Sequence, residues 1–211
     1  MADKLKSVIF DFDGVIVDTF EALRRLTRIH DGVPLDPEGY REFFEGNVLD
    51  NGTKRKFISF HDEDVKKKFI DEYGVRLHTD HAPIPGIAEA IRDIATAYEL
   101  HLVTSGPAKI IGDFLHRHEL GGHFGKVLGY EIEHSKVKKF AMLGAHGTDA
   151  TGHLYVTDTL GDLREAAHAG MPAIAVTWGF HDEARLKQGN PFAIVRSPDE
   201  LREAINEYNR A

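Results

Sequence analysis

Apolar positions along this chain follow two rhythms. Short unbroken runs at Val8-Ile9-Phe10, Leu100 to Val103, Leu154-Tyr155-Val156, Ala173 to Val176 and Ala193-Ile194-Val195 read as strands buried on both faces, with Val127-Leu128 as a further short one. Between them apolar residues recur at helical spacing. One set is Ile87, Ala90, Ile91, Ile94, Ala95 and Tyr98, and the next is Ile110, Ile111, Phe114 and Leu115. Lys136 to Leu143 and Leu163 to Ala169 follow as helices, and Leu201, Ala204, Ile205 and Tyr208 close the chain as another. Strands alternating with helices predict an α/β protein with a parallel sheet and right-handed crossovers. The strand at Ser7 to Phe10 must join that sheet from far away in sequence.

Residues 19–84 read differently. Phe20, Leu23, Leu26 and Ile29 are helically spaced, and Asp36-Pro37-Glu38 has the aspartate cap and early proline of a helix start. Tyr40, Phe43 and Phe44 form its apolar face, and Asp62 to Tyr73 predicts a charged amphipathic helix with Val65, Phe69 and Ile70 inward. This stretch contains no convincing strand. The expectation is a helical insert at 19–84 within a core made of 1–18 and 85–211, with Pro83-Ile84-Pro85-Gly86 as a hinge, or helices packed permanently on the sheet.

Composition narrows the chemistry. The net charge of −8 argues against a nucleic-acid partner. With no cysteine there can be no disulfide, thiolate nucleophile or zinc-thiolate site. The start, Met1-Ala2-Asp3-Lys4-Leu5-Lys6, is charged, and no later stretch is long and apolar enough for a bilayer, so a cytoplasmic enzyme without membrane contact is expected.

The first strand ends in Asp11-Phe12-Asp13-Gly14. Residues i and i+2 of an extended segment point the same way, so two carboxylates share one end of the sheet, where open α/β sheets bind ligands. Unpaired like charges repel, which makes sense if a cation or a reacting group lies between them. The octet Asp11-Phe12-Asp13-Gly14-Val15-Ile16-Val17-Asp18 resembles the first motif of the haloacid dehalogenase superfamily, whose commonest activity is phosphate-ester hydrolysis. Three further segments resemble its other motifs in the same order. Leu102-Val103-Thr104-Ser105-Gly106 offers a hydroxyl and backbone N–H groups for a phosphoryl oxygen, with Ser105 where the family often has asparagine. Read alone, that segment is as well explained as a cap before Pro107.

Ser135-Lys136-Val137-Lys138-Lys139-Phe140 places lysines at a helix start, where cations are disfavoured unless an anion needs them. Val137 and Phe140 turn inward, so Lys138 and Lys139 are expected toward water and Lys136 toward the strand ends. Val156-Thr157-Asp158-Thr159-Leu160-Gly161-Asp162 resembles the acidic fourth motif, with Thr157 replacing the usual glycine.

The resemblance implies a Rossmann-like parallel core with a helical cap, similar to phosphoglycolate phosphatases, and a Mg²⁺-dependent attack on a small phosphorylated metabolite. By resemblance Asp11 is nucleophile and metal ligand, Asp158 a second ligand, Asp13 a ligand through its carbonyl, and Asp162 a ligand through water or an orienting group. Asp11 is expected to be ionised at neutral pH. Asp13 would act as acid and then base, although at an ordinary pKa of about 3.9 only about 0.1% is protonated at pH 7, so its pKa must rise. Thr104 and Lys136 would hold the phosphoryl group, helped by Ser105 and Gly106. Cleavage of carbon–halogen bonds in this superfamily needs no acid at the second aspartate, so Asp13 implies phosphoryl transfer.

The cap offers Arg41, Asn47, Lys54, Arg55 and Lys56 as contacts for a leaving group, with Arg41 and Asn47 singled out. Two rivals stand beside hydrolysis. In an intramolecular phosphotransferase like β-phosphoglucomutase a cap histidine is needed, and Leu23 stands at that position. The other is an inactive binding protein on the same fold. The thirteen histidines match no zinc spacing and are expected at the surface, as at His78, His81, His116, His118 and His123; His134 lies near Lys136. Trp178-Gly179-Phe180 could line substrate or simply pack. Monomer and homodimer both stay open.

Overall fold

Ser7–Phe10 (β1) is buried at every position, as a strand covered on both faces must be. In this computed structural model, which describes residues 5–33, 35–54 and 57–211, β1 lies in the middle of a parallel sheet. The cap candidates Arg55 and Lys56, and the start at Met1 to Lys4, lie outside the described residues. The other strands are Glu99–Val103 (β2), Phe124–Leu128 (β3), His153–Thr157 (β4), Ala173–Val176 (β5) and Ala193–Val195 (β6). Their order is β3-β2-β1-β4-β5-β6, with every neighbour parallel. The order reverses between β1 and β4, which opens a crevice at the carboxyl ends of those two strands.

The twofold period of β1 sorts the core into two layers. Val8 and Phe10 point into a cluster with Ile87, Ile91, Phe114 and Leu201, whereas Ile9 points the other way, with Phe140, Tyr155 and Leu163. Ile87–Ala95 (α5), Ala108–Arg117 (α6) and Pro198–Tyr208 (α9) therefore cover one face, and Lys136–Met142 (α7) and Leu160–His168 (α8) the other.

Between β1 and α5 the described residues form helices: Phe20–Asp31 (α1), Pro37–Glu42 (α2), Val48–Lys54 (α3) and Glu63–Asp80 (α4), with short 3-10 turns. Asp36 caps α2 as expected, accepting from the Gly39 N–H at 2.7 Å. Asp62 caps α4, which runs seven residues beyond the Tyr73 end expected from sequence. It continues because Leu77 stays on the buried face and Gly74 lets the helix approach Ile110 of α6. Leu26, Tyr73 and Leu77 belong to the same apolar cluster as Phe12 and Val15. The two crossings into this segment run side by side: Val17 bridges to both Asp13 and Pro83, and the Ile84 N–H donates to the Ile16 carbonyl at 2.8 Å. Among the described residues no helix is long and apolar enough to cross a membrane.

Candidate active site

Asp11 follows β1 directly, and its N–H donates to the Val156 carbonyl (2.9 Å), which keeps it in line with the end of β4. Its Oδ2 accepts from Lys136 Nζ at 2.8 Å. Lys136 opens α7 and reaches back to the strand ends, as the sequence predicts. Its ammonium also donates to Asp162 Oδ2 (2.6 Å) and to the Tyr155 hydroxyl (2.9 Å). Asp162 Oδ2 collects further bonds from Tyr155 (3.0 Å) and from Thr157 Oγ1 (2.8 Å). Thr157, the departure from the family pattern, thus adds a donor. Asp162 thus holds the Lys136 ammonium.

Burial pushes the Asp11 carboxyl well above its ordinary range, and Lys136 opposes the shift only in part. Burial drives Asp162 upward too, but the Lys136 charge and the hydrogen bonds from Asp11, Lys136 and Thr157 together bring the group below its ordinary value. Lys136 is itself desolvated, yet the two carboxylates keep it firmly charged. The Asp11 carboxyl therefore sits above the ordinary carboxylate range expected from sequence.

Asp13 turns away from Lys136. Its Oδ1 accepts from Thr19 (2.7 Å) and Tyr73 (3.0 Å), the latter from α4. Burial raises its pKa, and those two donors resist the rise. Thr104 is buried at the end of β2, where its hydroxyl accepts from the Gly106 N–H at 2.9 Å. That is a local turn and not a helix cap, since α6 begins beyond Pro107. Lys139 corrects the sequence reading: it is fully buried, with Nζ donating to the Thr104 carbonyl at 2.6 Å. Burial lowers its pKa to about 8. The i, i+3 spacing from Lys136 carried that signal, because it puts both lysines on one helix face.

Asp158 lies in a slot that only glycine permits. Gly14 (φ +76°) and Gly179 press so close that a Cβ at either would overlap Asp158 Oδ2. Phe180 N–H donates to that oxygen at 2.7 Å, and Oδ1 is buried with no partner. Burial raises this pKa to about 8, with the Phe180 N–H opposing. Among the described residues no three acidic or histidine side chains already converge as a cation cage. Asp11 and Asp162 turn to Lys136, Asp13 to Thr19 and Tyr73, and Asp158 to Phe180. An excess of buried carboxylate and an orphaned Asp158 oxygen nonetheless fit a divalent, oxygen-seeking ion.

Without a cation, folded Asp158 keeps its proton up to about pH 8, whereas the unfolded chain releases it near 3.8. The folded state then binds more protons, so stability falls as pH rises through that window. Thermal melts are expected to show this loss in the parent and a shallower loss in Asp158→Asn. Adding Mg²⁺ at pH about 8 should raise the parent's Tm and leave the variant's unmoved.

A cavity of about 230 Å³ opens above these groups, lined at its floor by Asp11, Asp13, Thr104, Ser105, Gly106 and Lys136. His134, Leu23 and Phe180 also line it. The two cap residues singled out from sequence are placed elsewhere. Asn47 donates to Glu165 (3.1 and 3.2 Å) and to the His134 carbonyl, and its own Oδ1 accepts the first N–H groups of α3. Arg41 donates to the Phe180 carbonyl at 2.9 Å and lies over the Phe20 ring. Neither lines the cavity. Asn47 thus joins residues 38–47 to the helix after β4, and Arg41 joins them to the segment after β5, as do Arg185 to Glu38 and Glu45 and His181 Nε2 to the Arg41 carbonyl. His181 Nδ1 accepts from Leu160 N–H, so the ring is neutral with its proton on Nε2. Trp178 donates to the Val15 carbonyl and packs. Lys54 is exposed, and His78 and His118 lie against Phe114.

A parallel α/β sheet with acids and a lysine gathered at its switch point defines the class, and comparison with known proteins gives the family. The family model described as haloacid dehalogenase-like hydrolase matches residues 8–176, and the chain belongs to that family. A phosphoglycolate phosphatase of Synechococcus elongatus is 24% identical, over 98% of this chain and 100% of that protein. A probable phosphatase, IndB, of Dickeya dadantii is 28% identical over 92% of this chain and 90% of its own length. A crystal structure of a phosphatase assigned by prediction from Clostridium acetobutylicum superposes with a TM-score of 0.76 at 21% identity, covering 97% of this chain and 99% of that one.

Proposed function

We propose that this hydrolase is a Mg²⁺-dependent phosphomonoesterase that works through an aspartyl-phosphate on Asp11. The observation that carries the proposal is the Asp11 carboxylate at the cavity floor, 2.8 Å from a buried lysine and beside a second acid bound to the cap helix. Relatives named as phosphatases along nearly their whole length support it. Residues 19–84 serve as the cap over a core of 1–18 and 85–211, and the paired crossings at Val17 and Pro83 are its hinge.

In this reading an Asp11 oxygen attacks phosphorus in line, the phosphorus–oxygen ester bond breaks, and Asp13 gives its proton to the departing alkoxide. Asp13, now a carboxylate, takes a proton from water as that water attacks the same phosphorus. The Asp11–phosphorus bond then breaks and inorganic phosphate leaves. Thr104 has one hydroxyl proton to give to a phosphoryl oxygen, since its acceptor side is taken by Gly106. Ser105 and Gly106 contribute the turn around that oxygen, and Lys139 fixes it by holding the Thr104 carbonyl. Asp11, Asp158 and the Asp13 carbonyl would hold the magnesium, which when bound supplies positive charge against repulsion between carboxylate and phosphoryl oxygens.

Leu23, on the cavity wall, provides no proton carrier of the kind a phosphosugar mutase needs there. Phosphate release from a panel of small phosphomonoesters, with Mg²⁺ and with EDTA, tests the proposal. Release that requires Mg²⁺ supports it, and no metal-dependent release from any member of a broad panel overturns it.

A further inference from the structure

The cavity changes character with depth. Above the polar floor its wall is mostly apolar and aromatic, with Asp50 also on the lining: Leu23 of α1, Phe43 and Phe44 after α2, Leu49 of α3, and Phe69 and Ile70 of α4. This wall is set before any ligand arrives. Phe44 meets Phe180 edge to face at 5.0 Å and Tyr40 at 5.1 Å. Thr27, Thr53 and Ser59 interrupt the wall, and each of these hydroxyls is bound to the protein. Thr27 donates to the Leu23 carbonyl (2.9 Å), Thr53 to the Leu49 carbonyl (3.0 Å) and Ser59 to Asp31 (2.7 Å).

Among the described residues the basic side chains on the lining are Lys66, His134 and Lys136. Lys136 is committed to Asp11 and Asp162. Lys66 lies over the Tyr130 ring (5.2 Å), with Glu63 at 3.6 Å. Among the described residues, a carboxylate on the leaving group would find as partners in this chamber only Lys66, already beside Glu63 and Tyr130, and the exposed His134 ring. A neutral apolar group would instead gain from the apolar surface it buries against this wall. A closed apolar cavity of about 150 Å³ already holds benzene, so about 230 Å³ has room for a ring beside the phosphoryl group.

We infer, on the basis of the phosphatase reading above, that the preferred substrate is the phosphate monoester of a neutral, ring-sized apolar alcohol and not a short phosphorylated carboxylate. This separates the chain from relatives whose names specify phosphoglycolate. The test compares kcat/KM for benzyl phosphate and 2-phosphoglycolate with Mg²⁺ present. Both are esters of primary alcohols, so the chemical step is similar and the difference reports on the wall.

Benzyl phosphate should be favoured by about tenfold or more, mostly through KM, as uniform apolar binding requires. Ile70→Ala should lower kcat/KM for benzyl phosphate about fivefold and leave 2-phosphoglycolate within about twofold. Phe44→Leu should do the same, and it replaces Ile70→Ala if that variant does not fold. Equal kcat/KM values, or a preference for 2-phosphoglycolate, would overturn the inference and leave the phosphatase standing. Absence of phosphate release from both esters, and from the wider panel, would overturn the phosphatase reading itself.

Discussion

An Asp11→Asn variant keeps its fold and loses phosphomonoesterase activity by about 10⁴-fold or more, the scale of removing a covalent nucleophile. Asparagine has nearly the same shape, and its side-chain oxygen can still accept from Lys136 or from the Phe12 N–H, which Asp11 Oδ1 engages at 2.7 Å. Its amide is a far weaker nucleophile than a carboxylate and forms no acyl-phosphate that water can clear. Removing the charge also relieves crowding among buried acids, so its Tm in the absence of metal should match or exceed the parent's. A steady-state assay paired with a thermal melt checks both parts. A variant that retains a tenth or more of the activity would mean that Asp11 is not the attacking group.

Lys136→Met should be the most destabilising single change in the site. Methionine fills similar space but withdraws three bonds at once, to Asp11, Asp162 and the Tyr155 hydroxyl. Two buried carboxylates are then left facing each other without their shared cation. Breaking a buried pair from one side costs about 3–5 kcal/mol. For a chain of this size each kcal/mol moves Tm by about 2–4 °C, so a fall of about 6–20 °C is expected. Activity should drop by about 10²–10³-fold, as when a donor to the reacting anion is lost. Adding Asp162→Asn to this variant removes one of the stranded charges and should restore part of the Tm. If Lys136→Met melts within about 2 °C of the parent, the ion cluster contributes little to the fold.

The sheet was legible because its strands are short apolar runs, and runs such as Val8-Ile9-Phe10 and Ala173 to Val176 are unambiguous when they alternate with helical periods. Motif residues at strand ends were legible for the same reason: Asp11, Thr104 and Asp158 each follow such a run. Short helices were not. Val48–Lys54 and Glu183–Lys187 have too few turns to show a period, and tertiary contacts hold them.

The two inward apolar neighbours of Lys139 suggest an outward lysine, whereas its spacing from Lys136 points inward, where the side chain lies. Tyr155 and Thr157 alternate along β4 on the same side and could have been expected to meet Asp162. Tyr73 could not, because its bond to Asp13 depends on how α4 settles over the sheet. Arg41 and Asn47 looked like substrate contacts because exposed cap polarity in sequence does not distinguish a ligand contact from a contact to the core.

The central claim is a covalent bond between Asp11 and phosphorus. Quenching the enzyme during turnover, reducing it with borohydride and sequencing the peptide that contains β1 tests this directly, because reduction converts an aspartyl-phosphate to homoserine. The account predicts homoserine at position 11, dependent on substrate and on Mg²⁺ and absent from Asp11→Asn. An unmodified Asp11 under conditions of rapid phosphate release, or homoserine at another aspartate, would contradict it.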